Sequence, residues 1–400
     1  MTYQPGWHFL QVPGPSNVPQ RVMRAVDMPT IDHRGPEFAK MTLGLFDGLK
    51  RLFKTSTGEV VIYASSGSGA WEAAIENALS AGDKVLMFET GQFATLWHQM
   101  AGRLGLDAEF VPGDWRHPID PSIVEARLSE DRAHKIKAVM VVHNETSTGV
   151  MSDIVAIRKA IDAAHHPAMF MVDTVSSLAS IDYRHDEWGV DVTVAGSQKG
   201  LMLPPGLGFN AISKKALAAA EKSGGRRSYF SWADQLAQNR DGFFPQTPAT
   251  NILYGLRESL KMLDEEGLEN VFARHIRHGE ATRRAVKAWG LELQCVDPAA
   301  CSPTVTTIRV PAGQDADAFR ATVLEHFNMS LGAGLGKVKG QVFRIGHLGD
   351  FNDLMLAGAL SGVQMGLGVH GIPYNDDGVN VALAYLGNAA KSAGKPLAYA

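Results

Sequence analysis

From residue 59 onward, short runs of almost unbroken apolar residues alternate with longer stretches of helical spacing, and this alternation restricts the possible folds more than any other feature. Val60-Val61-Ile62-Tyr63 is the first run, and residues 84–88, 138–142, 168–172 and 190–195 are further ones. Residues 70–79 and 93–104 between them place apolar side chains at helical spacing. A strand with one wet face alternates apolar with polar, whereas a strand that is apolar throughout is buried on both faces. Such strands separated by helices predict an α/β fold with a largely parallel, doubly covered sheet. A helix starting at Pro36, with Phe38, Met41, Leu45, Leu49 and Phe53 as its apolar face, precedes the sheet.

A second, smaller unit follows. Residues 252–286 form a long helical stretch interrupted near Glu266-Gly267, and residues 304–310 and 341–345 read as strands around a helix at 315–326. The expected division is an N-terminal arm (1–20), a large domain (21–266) and a small C-terminal α/β domain (267–400). Pro5, Pro13, Pro15 and Pro19 make the arm extended, because each proline lacks an amide donor and restricts its predecessor. The tail after Gly366, rich in Gly, Asn and Ala, gives no clear signal.

Composition limits the partners. Thirty-eight basic residues against 42 acidic leave a net charge of −4, which offers no general attraction for nucleic acid or an anionic membrane. No apolar run reaches the roughly 18 residues of a membrane span, and residues 1–10 lack the pattern of a secretory signal. Two cysteines, Cys295 and Cys301, cannot build a disulfide framework or a four-thiolate metal site. A soluble, cytoplasmic protein is expected, with neither nucleic acid nor membrane as partner.

Two constellations carry chemistry. Ser65-Ser66-Gly67-Ser68-Gly69 lies between a strand and a helix, where bare amides and hydroxyls can bind phosphate; alone, such a loop is more often just a turn. A dinucleotide site is a rival reading, since Glu89 ends the next strand at a suitable separation, but Glu72 stands where the third glycine of that fingerprint belongs. The second constellation is Asp173, closing one apolar run, with Lys199 following another in an uncharged neighbourhood. A lysine there suits Schiff-base chemistry, although a snorkelling lysine explains it equally when taken alone. Pyridoxal phosphate needs a phosphate cup, a lysine for its aldehyde and an acid opposite the pyridine nitrogen, and Ser66 to Ser68, Lys199 and Asp173 supply all three.

Six stretches then carry a resemblance: Val12-Pro13-Gly14-Pro15-Ser16-Asn17, residues 66–74 (Ser66-Gly67-Ser68-Gly69-Ala70-Trp71-Glu72-Ala73-Ala74), His143-Asn144-Glu145-Thr146-Ser147-Thr148-Gly149-Val150, residues 172–177, Gly196-Ser197-Gln198-Lys199 and Phe343-Arg344-Ile345-Gly346. In order and spacing the chain resembles the class V, fold-type I aminotransferases that depend on pyridoxal phosphate, near the serine–glyoxylate and alanine–glyoxylate aminotransferases. The resemblance implies a large domain with a mostly parallel sheet covered by helices and a smaller C-terminal α/β domain. It also implies roles. Lys199 holds the cofactor and shuttles the proton; Asp173 pairs with the pyridine nitrogen. Ser66, Gly67, Ser68 and Gln198 bind phosphate, Phe93 covers a ring face, and Thr146 bonds near the ring. Thr247 reaches the phosphate of a neighbouring subunit, so a homodimer or higher even oligomer shares its sites. Where the family often has Tyr, Phe244 removes one phosphate hydroxyl. Arg344 grips the substrate carboxylate, with Gly14 close to the substrate.

The remaining features receive blander readings. Arg34, in Asp32-His33-Arg34, suits a substrate carboxylate or a subunit contact. His165-His166 and His275-x-x-His278 lack a third ligand and are expected to be surface helix residues, with no metal bound. Arg226-Arg227 is too short for a nucleic-acid patch. Desulfuration needs a cysteine on the loop before Arg344, and residues 329–336 carry none. The Gly-rich segment 332–336 is expected as a loop that leaves room for a short side chain. The expected reaction is L-serine plus glyoxylate giving 3-hydroxypyruvate plus glycine in ping-pong halves, with alanine or aspartate as alternative donors. A class V lyase, a nicotinamide-dependent oxidoreductase and a non-catalytic binding protein are the further alternatives.

Overall fold

The computed structural model describes residues 5–392. The expectation for residues 1–10 and that for the tail therefore lie partly outside the described residues. The chain opens with a strand, β1 (Phe9–Gln11), and helices α1 (Gln20–Val26) and α2 (Pro36–Phe53). Then β2 (Glu59–Ala64), α3 (Gly67–Ala78), β3 (Lys84–Phe88), α4 (Gln92–Arg103), β4 (Asp107–Val111), α5 (Pro121–Glu130) and β5 (Ile136–Val142) alternate. A hairpin of β6 (Asn144–Glu145) and β7 (Val150–Met151) precedes α6 (Ile154–Ala163), β8 (Met169–Asp173), β9 (Val192–Gly196) and β10 (Leu207–Ile212). Helices α7 (Lys214–Lys222), α8 (Trp232–Asn239), α9 (Thr250–Glu266) and α10 (Leu268–Ala288) follow. The C-terminal part holds β11 (Glu292–Leu293), β12 (Val305–Arg309), α11 (Ala316–Phe327), β13 (Met329–Ala333), β14 (Val342–Gly346), α12 (Asp353–His370) and α13 (Gly378–Ser392).

Seven strands form the large sheet in the order β2-β10-β9-β8-β5-β3-β4. All run in one direction except β10, which is antiparallel to both β2 and β9. Each strand buries alternate residues in opposite layers: Val60 and Ile62 join α2 and α9 on one face, while Val61 and Tyr63 join α3 and α4 on the other. That double burial is why the strands read as unbroken apolar runs. The second sheet has the order β1-β13-β14-β12-β11 and is packed by α11, α12 and the later turns of α10. Gly267, at φ +81°, breaks the long helical stretch into α9 and α10. Val271 in the first turn of α10 still packs on the large core, whereas Ala281 and Ala285 pack in the small one. One helix thus ties the two cores together.

Several expectations fail locally. The extended arm is in part a strand, β1, which pairs in parallel with β13. The expected loop at 332–336 begins inside β13, and Gly332 is there for close packing: a Cβ would lie 2.7 Å from Pro13 Cδ and 2.9 Å from Arg344 Cβ. The tail after Gly366 supplies the last turn of α12 and, in its described part, α13, which packs along α10. Strands β4 and β10 escape the pattern for different reasons. An edge position leaves β4 half-exposed and mixed in character. In β10 the apolar run is broken by Asn210, which is fully buried but bonded to Tyr63 Oη and Ala70 O. The helix expected at 70–79 starts earlier, at Gly67.

No helix among the described residues is long and apolar enough to cross a membrane. Phe209 of β10 is fully buried in the core shared by α2 and α9. Phe209→Ala is expected to destabilise the chain by about 3–5 kcal/mol through lost burial and a residual cavity, read as a lower urea midpoint with an unchanged folded-state circular dichroism spectrum.

Candidate active site

In an open sheet of parallel strands the ligand crevice lies beyond the carboxyl ends. Ser66 follows β2, Phe93 follows β3, Asn144 follows β5, Asp173 closes β8 and Lys199 follows β9. All five line one cleft, together with Gly14, Gly67, Ser68, Trp71, Thr146, Val175, Ser176 and Gln198.

Lys199 is buried, and its Nζ donates to the carbonyl oxygen of Pro13 at 2.6 Å. That partner is neutral. Burial, and then the Arg344 charge, push the pKa of the amine down to about 7. Gly14 makes the arrangement possible: its φ is +128°, and a Cβ there would lie 2.3 Å from Lys199 Nζ. Ser16 holds the lysine turn as well, donating from its N–H to Gln198 O at 3.0 Å and from Oγ to Lys199 O at 2.8 Å. The proline-rich arm is therefore a wall of the cleft.

Across the cleft, Asp173 Oδ2 accepts from Trp71 Nε1 at 3.0 Å and Oδ1 from the Val175 N–H at 2.6 Å. Burial nevertheless pushes its pKa up to about 7. Trp71 carries no role in the sequence reading. Its signal was its place among the small residues that open α3, one turn after Gly67, since a buried indole N–H requires an acceptor.

The residues present fit pyridoxal phosphate. Helix α3 starts at Gly67 with no side chain capping its first amides, so these donors and the helix dipole face the cleft as an anion site. Gly67 is required there, because a Cβ would come within 2.6 Å of Val175 Cγ2. Gln198 Oε1 is buried with no partner, and turning the amide over presents an NH₂ donor to the same anion. Asn144 Oδ1 is also buried without a partner and offers an acceptor to a ring hydroxyl. Asp173 supplies the acid, and Phe93 and Val175 supply apolar surface for a flat ring.

Arg344, on β14, stands one layer behind this lining. Its Nε donates to Ala333 O at 2.7 Å and its Nη1 to Thr146 O at 2.9 Å. Burial pushes its pKa down to about 10, and the charge of Glu145 opposes that shift. Glu145 is fully buried and accepts from the N–H groups of Phe93, Ala94 and Ser147 and from Ser147 Oγ. It thereby caps α4 from another segment and fixes Phe93, while compensating two buried cations. The sequence reading quoted Glu145 in a motif and gave it no role.

Other expected positions fall elsewhere. Thr247 is exposed and lines a separate depression with Tyr229, Phe244 and Gln246, so one chain does not bring it to Lys199. Arg34 is exposed, its N–H bonded to Asp32 Oδ1. Glu89 is engaged by Trp115 Nε1 and Lys337 Nζ, which removes it from any ribose. The histidines are not surface helix residues, except for the exposed His165, which lies beyond the end of α6. His166, His275 and His278 are buried: His278 Nε2 is 2.7 Å from Asp353 Oδ1, and His275 bonds Val271 O and the Gly349 N–H.

Comparison with known proteins agrees with this chemistry. The sequence model of the family Aminotransferase class-V matches residues 8–336. A serine–glyoxylate aminotransferase of Methylorubrum extorquens is 50% identical over 96% of this chain and 97% of that protein. An L-aspartate–glyoxylate aminotransferase of Paracoccus denitrificans is 46% identical over 90% and 91%. Among solved structures, the ureidoglycine–glyoxylate aminotransferase of Bacillus subtilis superposes with a TM-score of 0.88 at 26% identity, covering 97% of this chain and 100% of that one.

The burial of Lys199 has a measurable sign. Folding lowers its pKa from 10.5 to about 7, so between those values the folded chain binds fewer protons than the unfolded one and stability rises with pH. Lys199→Met removes this penalty. In cofactor-free protein the variant should be more stable than wild type below pH about 7, with the gap closing toward pH about 10.5. Thermal unfolding across that range tests it, and a gap independent of pH would contradict the burial argument.

Proposed function

The chain belongs to the class-V aminotransferases, enzymes that use pyridoxal phosphate, and we propose that it transfers the amino group of L-serine to glyoxylate, giving 3-hydroxypyruvate and glycine. The observation that carries this reading is the buried Lys199 facing Asp173 in one cleft, joined to 50% identity with a serine–glyoxylate aminotransferase over nearly the whole chain. Both acids take the same place in the cleft, so the keto acid made from serine must leave before glyoxylate enters, and ping-pong kinetics are expected.

Pyridoxal phosphate, once bound, supplies the electron sink that makes the substrate Cα–H acidic. The chain's own residues do the rest. With its pKa lowered to about 7, the amine is in substantial part unprotonated near neutral pH, so Lys199 Nζ can accept the Cα proton and later return it. Asp173, its oxygens oriented by Trp71 and Val175, holds a positive ring nitrogen as its counter-ion. Ser66, Gly67, Ser68 and Gln198 hold the phosphate, with Phe93 and Thr146 at the ring. Arg344 takes the substrate carboxylate as a charge-assisted pair and so sets the direction of the Cα–H bond. Gly14 keeps the backbone close and the space for the substrate side chain small.

Thr247 completes the phosphate site of a second copy, which makes the working unit a homodimer or a larger even oligomer. Its exposed position outside the cleft of its own chain supports this. Free Cys295 and Cys301 suit a reducing compartment, and we place the enzyme in the cytoplasm. L-Aspartate as donor is the second reading, favoured by the 46% identity to an L-aspartate–glyoxylate aminotransferase.

An absorption spectrum of the purified enzyme tests the substrate pair: a visible band that bleaches with L-serine and returns with glyoxylate is expected. Bleaching by L-aspartate but not L-serine would change the donor. Lys199→Ala should abolish turnover while still binding pyridoxal phosphate through the phosphate site. Arg344→Ala should raise KM for both the amino and the keto acid on the order of ten- to a hundredfold, because one charge-assisted pair serves both; a change confined to one substrate would refute the shared clamp.

A further inference from the structure

The two cysteines have no part in the chemistry above, yet the fold sets them side by side. Cys295 Sγ and Cys301 Sγ each lie 3.4 Å from one atom, the carbonyl oxygen of Asp297. Cys301 Sγ also lies 4.0 Å from the carbonyl oxygen of Cys295. Between them the chain makes a tight 3-10 turn, Pro298–Ala300, whose first free amide, Ala299 N–H, is capped by Asp297 Oδ1 at 2.9 Å. The convergence of the sulfurs is therefore built into a rigid turn.

Their surroundings differ in a way that suits exchange. Cys295 is buried and Cys301 half-buried, so one thiol is reachable from solvent and the other stands behind it. The neighbouring Cys295 thiol, and then the positive charges of Arg283 and Lys287 on α10, favour the Cys301 thiolate, while its partial burial opposes them. Burial and that neighbouring anion hold Cys295 protonated. A partly exposed thiolate backed by a second thiol is the arrangement thiol–disulfide exchange requires.

We infer that Cys295 and Cys301 form a modification site, an intramolecular disulfide made by exchange with a low-molecular-weight disulfide. The Cys301 thiolate attacks one sulfur of the small disulfide, forming a mixed disulfide and releasing one small thiolate. Cys295 then loses its proton and attacks the Cys301 sulfur, releasing the second. Two protein thiols are oxidised, one small disulfide is reduced to two thiols, and no further reactant is needed. The site lies outside the lysine cleft, on its support: Cys301 forms a β-bridge with Val150 of β7, and the Ser302 N–H donates to Gly149 O at 2.9 Å.

Intact-mass analysis and thiol titration of the holoenzyme after incubation with glutathione disulfide test the inference. The expected product has lost both titratable thiols and two hydrogens, retains no glutathione, runs as a single chain on a non-reducing gel and recovers both thiols with dithiothreitol. Cys295→Ser should instead keep a stable glutathione adduct on Cys301, and Cys301→Ser should react about tenfold more slowly than wild type or less. Wild-type protein that keeps an adduct, cross-links between chains or retains both thiols would overturn the proposal, whatever the variants do.

Discussion

The site is organised around a buried amine that has only a neutral partner. Burying the Lys199 ammonium away from water is unfavourable, and the backbone carbonyl of Pro13 compensates in part by accepting its hydrogen bond. That contact fixes much of what surrounds it. The carbonyl reaches the amine only if the next residue lacks a side chain, which requires Gly14. The arm stays in place because Ser16 bonds the lysine turn on one side and β1 enters the small sheet on the other. A residue whose reactivity depends on low proton affinity is thus supported by the part of the sequence that looked least structured.

A second set of contacts joins the two sheets. Arg344 sits inside the small sheet, yet its guanidinium bonds Thr146 O on the β6–β7 hairpin that follows β5 of the large one. Glu145, next along that hairpin, receives the first amides of α4 and so holds Phe93. A displacement of the small sheet therefore acts on Arg344, the hairpin and Phe93 together. Lys337 reaching Glu89 beside Trp115 adds another tie on the same flank.

Much of this was legible in the sequence where one physical cause dominates. Double burial produced the apolar runs, and the positions following those runs gave Ser66, Asp173 and Lys199. What stayed hidden depends on contacts between distant segments. Trp71 matters because Asp173 lies opposite it, and Glu145 because α4 begins without a side-chain cap of its own. The buried histidines looked like surface residues because helical spacing does not show that α10 is covered on both sides, and His278 finds Asp353 only through the fold. Asn210 hid β10 for a related reason: its bonds to Tyr63 and Ala70 make a polar residue acceptable in a central strand.

The arm's position has a consequence for how the protein is made. Pro13 and Lys199 are 186 residues apart, and Gln11 bonds Gly346 across 335. On a ribosome the arm must therefore wait until the small sheet has been synthesised before it can dock. Domains complete in order from the N-terminus, so the large sheet can form while its lysine still stands open to solvent on one side. Until the arm docks, Lys199 Nζ lacks the Pro13 carbonyl and the cleft lacks one wall, so the site is completed only after both sheets have formed.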